Sequence, residues 1–436
     1  MSPTSNADDL ALVDQLQREA FGYFVDWTNP ANGLVRDCTL PDANASIAAV
    51  GFALGAYPIS VERGFLTRAA AVSRTLATLR FFWNSPQGPQ PDATGYHGFY
   101  YHFLDMNTGR RAGGCELSTI DTVILLAGAL VAAAYFDGDT AEEAELRELA
   151  DAMYRRADWR WAQDGEVTIS HGWTPERRFL PYRWRGYDEA TILYVLALGS
   201  PTHAVGPESY AAYTSSYVFK EVFGHEYLYA GPLFIHQYSH LWLDFRGIRD
   251  DAMRAHGLDY FENSRRATLV HQAYAIRNAL AFSHPCECCW GYTASDCPGP
   301  MSRLVDGIER EFHGYLARGA PFGPDDGTIA PWAAVASLPF APEIVLPTIR
   351  HMFRVGAGPT RCRYGLAASF NPTFPSPDGL GWVSPVNYGL NQGPIVLMIE
   401  NWRSGLVWSL MRRCPYVVEG LRRAGFAGGW LDGAPR

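Results

Sequence analysis

The chain has 436 residues and a mass of 48.3 kDa, with 47% hydrophobic and 19% charged residues, enough to bury a large core. Its formal charge of -9 and pI near 5.7 speak against a nucleic-acid groove, which needs a clustered basic face. The longest apolar run, TVILLAGALVAAAYF, is shorter than the roughly 20 residues of a membrane span, so no membrane partner is expected.

The N-terminus MSPTSNADDL has neither the basic nor the apolar region of an export signal. The expected location is the cytoplasm, or the periplasm if a leader has been trimmed. DDLALVDQLQREAFGYFVDW opens on an Asp cap and carries apolar residues at helical spacing. ASIAAVGFALGAYPI and ERGFLTRAAAVSRTLATLRFFW follow as helices, and NSPQGPQPDATGYHG breaks the pattern. FYYHFLDMNTGRRA reads as a β-hairpin turning at Asn107–Gly109. Helices resume over Leu117–Phe136 and AEEAELRELADAMYRRADWRWA, and DGEVTISHGWTPERRFLPYRWRGY is a second hairpin. Further helices are expected near 187–199, 207–222, 249–257, 260–281, 303–318, 330–338, 342–354, 392–413 and 416–424.

No linker, low-complexity tract or fixed-period repeat interrupts this run. About a dozen helices of alternating burial point to an all-α fold, an (α/α)6 barrel with small β-hairpin insertions; a solenoid would show a stronger period. A single catalytic domain over 1–436 is expected.

Several apolar helices begin beside acids. GGCELSTIDTVILLAG places Glu116 and Asp121, and YDEATILYVLALG places Asp188 and Glu189. DYFENSRRATLVHQAYAI supplies Asp259, Glu262 and Asn263; FGPDDGTIAPW supplies Asp325 and Asp326; MIENW supplies Glu400 and Asn401. Helix capping explains any one of these. It does not explain the adjacent pair in YDE, where one acid can cap and the other point inward.

Aromatics make up 14% of the chain, with 13 Trp and 23 Tyr, and Arg far outnumbers Lys. Aromatic faces and planar Arg forks suit a neutral polar ligand such as a sugar. Two carboxyls in unequal environments are what glycosidic cleavage needs. Trp173, Trp184, Tyr187, Trp242 and Trp290 are candidate stacking platforms, and Arg185, Arg246 and Arg265 candidate holders of hydroxyls. His236, Gln237 and His240 join them, as does Glu262, although Glu262 and Asp244 equally suit structural pairing with Arg.

No nucleophile elbow, P-loop, H-E-x-x-H or dinucleotide fingerprint is present. His236 and His240 lack the Glu of the zinc-protease motif, and Cys286, Cys288, Cys289 and Cys297 match no standard zinc spacing. No metal and no cofactor are expected.

The segments CELSTIDT, GYDEATILYVLALGSPTH, GPLFIHQYSHLWLDFRGIRD, DYFENSRRATLVHQAYAI, WGYTASD, DDGTIAPWAAVASLPFAPEIVLP and NQGPIVLMIENWRSGLVW resemble the bacterial glucoamylase-like family. That family includes glycoside hydrolase family 144 and is related to a domain of cyclic β-1,2-glucan synthases. The resemblance implies an (α/α)6 barrel and inverting, metal-free hydrolysis of β-1,2-glucans. By position Glu189 matches the glutamate proposed as general acid, and Asp121 and Glu116 fall where acids shape the catalytic centre. The family's Asp in YGLAASFNP and GLNQGP is replaced here by Ala368 and Asn391, so the base falls to Asp121 or Asp326. The expected activity is hydrolysis of β-linked glucan, above all β-1,2-glucan or its oligosaccharides. The alternatives are a transglycosylase on the same substrates and a sugar-binding protein on a hydrolase fold. Oligomeric state stays open.

Overall fold

The computed structural model describes residues 7–283, 285–355, 360–377, 379 and 381–434. Helices hold 46% of the residues against 14% in strands. The chain forms two compact units. The first comprises Met1–Tyr23, Val218–Tyr238 and Phe261–Ser404, the second Phe24–Tyr217, Ser239–Tyr260 and Gly405–Arg436. Among the described residues no helix is long and apolar enough to cross a membrane.

In the second unit the apolar helices Ile47–Glu62, Thr119–Tyr135 and Thr191–Gly199 are buried along nearly their whole length. They lack a charged stripe, so they are stable only with neighbours on every side. Ile47–Glu62 and Thr119–Tyr135 touch backbone to backbone. A Cβ added to Gly51 would lie 2.4 Å from the Ile124 carbonyl oxygen, and one on Gly128 would lie 2.1 Å from that of Gly51. Thr191–Gly199 meets Pro415–Arg423 in the same way: a Cβ on Gly199 or Gly420 would fall 1.9 Å from the carbonyl oxygen of Tyr416 or Val195. The helices Arg68–Asn84 and Ala141–Arg156 carry the charges instead, joined by Arg68 to Glu143 at 2.7 Å.

The β content exceeds small hairpins. Gly95–Tyr96, Phe99–Tyr101, Leu117–Ser118, Gly172–Thr174 and Arg178–Phe179 make one five-stranded antiparallel sheet in that order. The second expected hairpin supplies two of its strands; of the first, Phe99–Tyr101 joins the sheet and Leu104 bridges Arg111 outside it. Ala45–Ser46 pairs separately with Phe103–Leu104. Ser46 and Ser118 thus leave a strand and at once cap a buried helix, accepting the N–H of Ala49 and of Asp121. Short strands fix the mouths of the apolar helices.

Three helix expectations are corrected. The segment 207–222 is helical only over Pro207–Thr214, then pairs Phe219–Val222 with His225–Leu228 across Phe223 and Gly224, both at positive φ. The segment 303–318 is a hairpin, Met301–Val305 on Ile308–Phe312, turning at Asp306–Gly307. Asp-Gly at positive φ is the preferred two-residue hairpin turn. The segment 392–413 is two helices, Gly389–Arg403 and Leu406–Arg412, separated at left-handed Gly405.

Candidate active site

The second unit gathers five carboxyls and one imidazole at its helix mouths. His102 lies between the strands Phe99–Tyr101 and Phe103–Leu104, its backbone N–H donating to the Glu116 carbonyl at 2.9 Å. That register places its Nδ1 2.9 Å from Glu116 Oε1 and its Nε2 3.7 Å from Asp121 Oδ2. Asp121, in the first turn of Thr119–Tyr135, accepts the Ser118 hydroxyl at 2.5 Å. Burial disfavours a charged His102, but the charges of Asp121, Glu116 and Asp37 outweigh it and push the imidazole up to about 9. It is therefore an imidazolium at neutral pH. Its hydrogen bond holds Glu116 below the usual carboxylate range despite burial.

Asp37, on the loop before Ala45–Ser46, is pushed up to about 6 by burial, with His102 pulling it down and Asp121 pushing it up. It helps to line an open cleft of about 520 Å³ with Leu40, Asp42, Asn44 and Phe103. The Phe103 ring lies flat on His102, centroids 4.0 Å apart. His102, Glu116 and Asp121 each offer a donor atom within 4.8 Å of the others, a spacing that also suits a divalent cation.

Neither acid of the YDE pair caps the helix that follows, a correction to the expectation that Asp188 would. Asp188 Oδ1 accepts the Ala190 N–H at 2.9 Å and the Tyr213 hydroxyl at 3.1 Å. The following helix is capped from a distance by Ser239, whose Oγ accepts the Ile192 N–H at 3.1 Å and donates to the Glu189 carbonyl at 2.9 Å. Burial, then the charge of Asp188 and that of Asp121, pushes Glu189 up to about 8; burial pushes Asp188 up to about 7. The two titrate as a pair, and both carboxyls are held above the usual carboxylate range.

Residues 181–415, just over half the chain, match the Glycoamylase family model, described as putative glucoamylase. The chain belongs to this glucoamylase-like family. It is 29% identical over 456 aligned residues to the exo β-1,2-glucooligosaccharide sophorohydrolase (non-reducing end) of Parabacteroides distasonis, an alignment covering 95% of this chain. The glucoamylase-like chain spans 58% of that relative's length. A solved Bacteroides uniformis protein described in the family's own words has a TM-score of 0.86 at 30% identity, covering 98% of this chain and 99% of that one. The endo-β-1,2-glucanase of Chitinophaga pinensis, solved with sophorotriose and glucose, has a TM-score of 0.85 at 26% identity, covering 96% and 99%.

The other candidates of this glucoamylase-like chain divide by environment. Trp184 is buried, donating to Thr119 Oγ1 at 2.9 Å and stacked on His171. Trp173 is buried against Tyr96 and Trp161. Tyr187 is half-buried against Tyr217 and Tyr260, and Arg185 is exposed. Trp242 is a correction: it is wholly buried, parallel to Phe52, so it is a core ring. His240 is buried beside Phe245 with its carbonyl accepting the Trp408 indole N–H, and Arg246 pairs with Asp244 and covers Trp408.

Asp326, Trp290, His236, Gln237, Glu262 and Arg265 belong to the first unit. Asp326 is corrected as a base: both oxygens pair with Arg318 at 2.6 and 2.7 Å, and both side chains are fully buried. Trp290 is a core ring bonded to Thr348 at 3.0 Å. Gln237 donates to the Ala333 carbonyl and Ser337, and His236 bonds the Ala230 carbonyl. Glu262 pairs with Arg266, and Arg265 with Glu343 and the Phe340 carbonyl. Those partners are structural. Ala368 and Asn391 are buried in the same unit.

Asp37 and His102 escaped sequence reasoning. The second His of HGFYYHF was visible but had no recognisable metal or triad spacing. Asp37 sits in VRDCTLPDANAS, where the surrounding turn-forming residues give it the look of an ordinary loop acid.

Proposed function

We propose that the chain is a glycoside hydrolase acting on β-1,2-linked glucan or its oligosaccharides with inversion at the anomeric carbon. The observation that carries this is the His102 imidazole set between Glu116 at 2.9 Å and Asp121 at 3.7 Å, in the unit where burial also raises Glu189 above the usual carboxylate range. One acid that keeps its proton near neutrality and others that lose theirs is the division of labour glycosidic cleavage requires. Support for the linkage comes from the sophorohydrolase of P. distasonis and the endo-glucanase of C. pinensis, which act on β-1,2-linked glucose.

In this reading Glu189 protonates the leaving glycosidic oxygen. Burial, aided by the charges of Asp188 and Asp121, favours its protonated form until the bond to the leaving sugar begins to break. Asp121 then faces the positive charge developing on the ring, oriented by Ser118 and His102. Glu116 fixes the imidazolium from its other nitrogen. Tyr187 and Arg185, which are not buried, remain the ligand-facing candidates of this unit, whereas Trp184 and Trp173 are packed inside it. The whole chain acts as one (α/α)6-barrel domain, a reading supported by similarity along nearly the full length of both chains.

The test is product release from a linkage panel of β-glucans and gluco-oligosaccharides, followed by NMR to assign the anomer first formed. Cleavage confined to β-1,2 linkages with an α-anomer product is expected. A β-anomer product would replace inversion by retention, and transfer to sugar rather than water would replace hydrolase by transglycosylase.

A further inference from the structure

We infer that Asp37 is the carboxylate that activates the attacking water, an assignment resting on the hydrolase reading above. The Asp37–Asn44 loop is closed by Asp37 N–H to the Asn44 carbonyl at 2.8 Å and by Ala43 N–H to that of Leu40 at 3.2 Å. It is anchored where Ala45–Ser46 pairs with Phe103–Leu104, which brings it beside the Phe103 ring that covers His102. Asp37 therefore lines the open cleft and also lies within electrostatic reach of His102.

The other carboxylates of that cluster have work already. Glu116 is bonded to His102 at 2.9 Å, and Asp121 accepts the Ser118 hydroxyl at 2.5 Å while facing His102. Asp121 acts electrostatically on both Glu189 and Asp37. Asp121 is thus within electrostatic reach of both. An inverting acid and base have to stand roughly 6.5–9.5 Å apart to admit the attacking water. Burial also makes Asp37 more basic than an ordinary aspartate, which suits proton abstraction near neutral pH.

The step balances. Asp37 takes a proton from water as the water oxygen bonds to the anomeric carbon. The bond from that carbon to the leaving oxygen breaks, and the leaving oxygen takes the Glu189 proton. Asp37 ends protonated and Glu189 ionised, and solvent exchange restores both.

The experiment compares Asp37→Ala, Asp37→Asn and Asp121→Ala with wild type on a β-1,2-gluco-oligosaccharide, with and without sodium azide. Both Asp37 variants should lose roughly 10²–10⁴-fold in kcat. Azide, a nucleophile that needs no base, should restore Asp37→Ala at least tenfold and yield an α-glycosyl azide. Asp121→Ala should lose activity that azide does not restore. Should Asp37→Ala melt early, the near-isosteric Asp37→Asn carries the comparison. Activity within about threefold of wild type in a folded Asp37 variant would overturn the inference. So would loss in a folded Asp37→Ala that azide does not rescue, or rescue of Asp121→Ala instead. A wild type that releases no sugar would bring down the hydrolase reading and this inference together; an active wild type with an indifferent Asp37 sinks only the latter.

Discussion

Glu189→Gln replaces a protonated carboxyl with a neutral group of the same shape, and its effects should separate by pH. Ordinary Glu ionises near 4.5, but burial and the neighbouring acids hold Glu189 up to about 8. Between those values the unfolded chain has released the proton while the folded chain keeps it, so wild-type stability falls as pH rises, then levels off above about 8. Each pH unit of that interval is worth ~1.4 kcal/mol, a ceiling of ~5 kcal/mol. Partial exposure and the charge shared with Asp188 reduce this to about 2 kcal/mol. For a chain of 436 residues, with an unfolding entropy of ~2 cal/mol/K per residue, that is about 2 °C in Tm. Glu189→Gln should therefore melt close to wild type at pH 5 and about 2 °C above it at pH 9. Its kcat on β-1,2-gluco-oligosaccharides should fall roughly 10²–10⁴-fold at every pH. The assays are differential scanning fluorimetry across pH 5–9 and sugar release at saturating substrate. A Tm difference that does not change with pH would refute the buried-acid argument, and near-wild-type kcat would return Glu189 to a structural role.

His102 behaves with the opposite sign. Its imidazole is raised from 6.5 to about 9, so its stabilisation is complete below pH 6.5 and lost as pH rises through about 9. His102→Asn should be less stable than wild type at pH 6 and equal to it at pH 10; melting curves that stay parallel would discard the imidazolium. Asp326→Asn leaves the Arg318 guanidinium buried beside a neutral amide, with an expected cost of roughly 3–5 kcal/mol. Chemical denaturation would read it, and a change below about 1 kcal/mol would reopen Asp326 as a functional group. Trp242→Ala empties a site filled by a ring parallel to Phe52 and should cost roughly 3–5 kcal/mol. A raised KM with unchanged stability would instead make Trp242 a sugar platform.

Much of the helix pattern could be read because Ile47–Glu62, Thr119–Tyr135 and Thr191–Gly199 are apolar on every side, a composition with few other homes. The segment 303–318 misled for a local reason: LVDGIEREF mixes charged and apolar residues at a spacing compatible with either period, and the Asp306–Gly307 turn signal decides for strands. The YDE pair stands out in sequence because two adjacent acids cannot both cap one helix, yet in the structure neither does. The actual cap, Ser239, was not legible, because it reaches Ile192 from 47 residues away in sequence. Trp184 and Trp242 look alike in sequence and share the unit that holds the acids, yet one is bonded to Thr119 and stacked on His171 and the other is sealed against Phe52. Burial is a property of three-dimensional neighbours, and no spacing rule distinguishes such rings. Asp37 acquires its character only when the pairing of Ala45–Ser46 with Phe103–Leu104 brings its loop to His102.

The glycine crossings have a bearing on how such a protein can diverge. Ser46 and Asp121 ride on helices that meet at Gly51 and Gly128, and Glu189 precedes a helix seated through Gly199 on Gly420. At these points main chain rests on main chain, so no side-chain exchange elsewhere along the helices resets their axial offset. Adding one methyl at any of the four would slide a helix and carry its acid with it. The loops before the helices are not seated in this way, and within Asp37–Asn44 the cleft-lining Leu40 and Pro41 can change without displacing an acid. Substrate preference can drift through loop replacement while the relative positions of the acids are inherited unchanged.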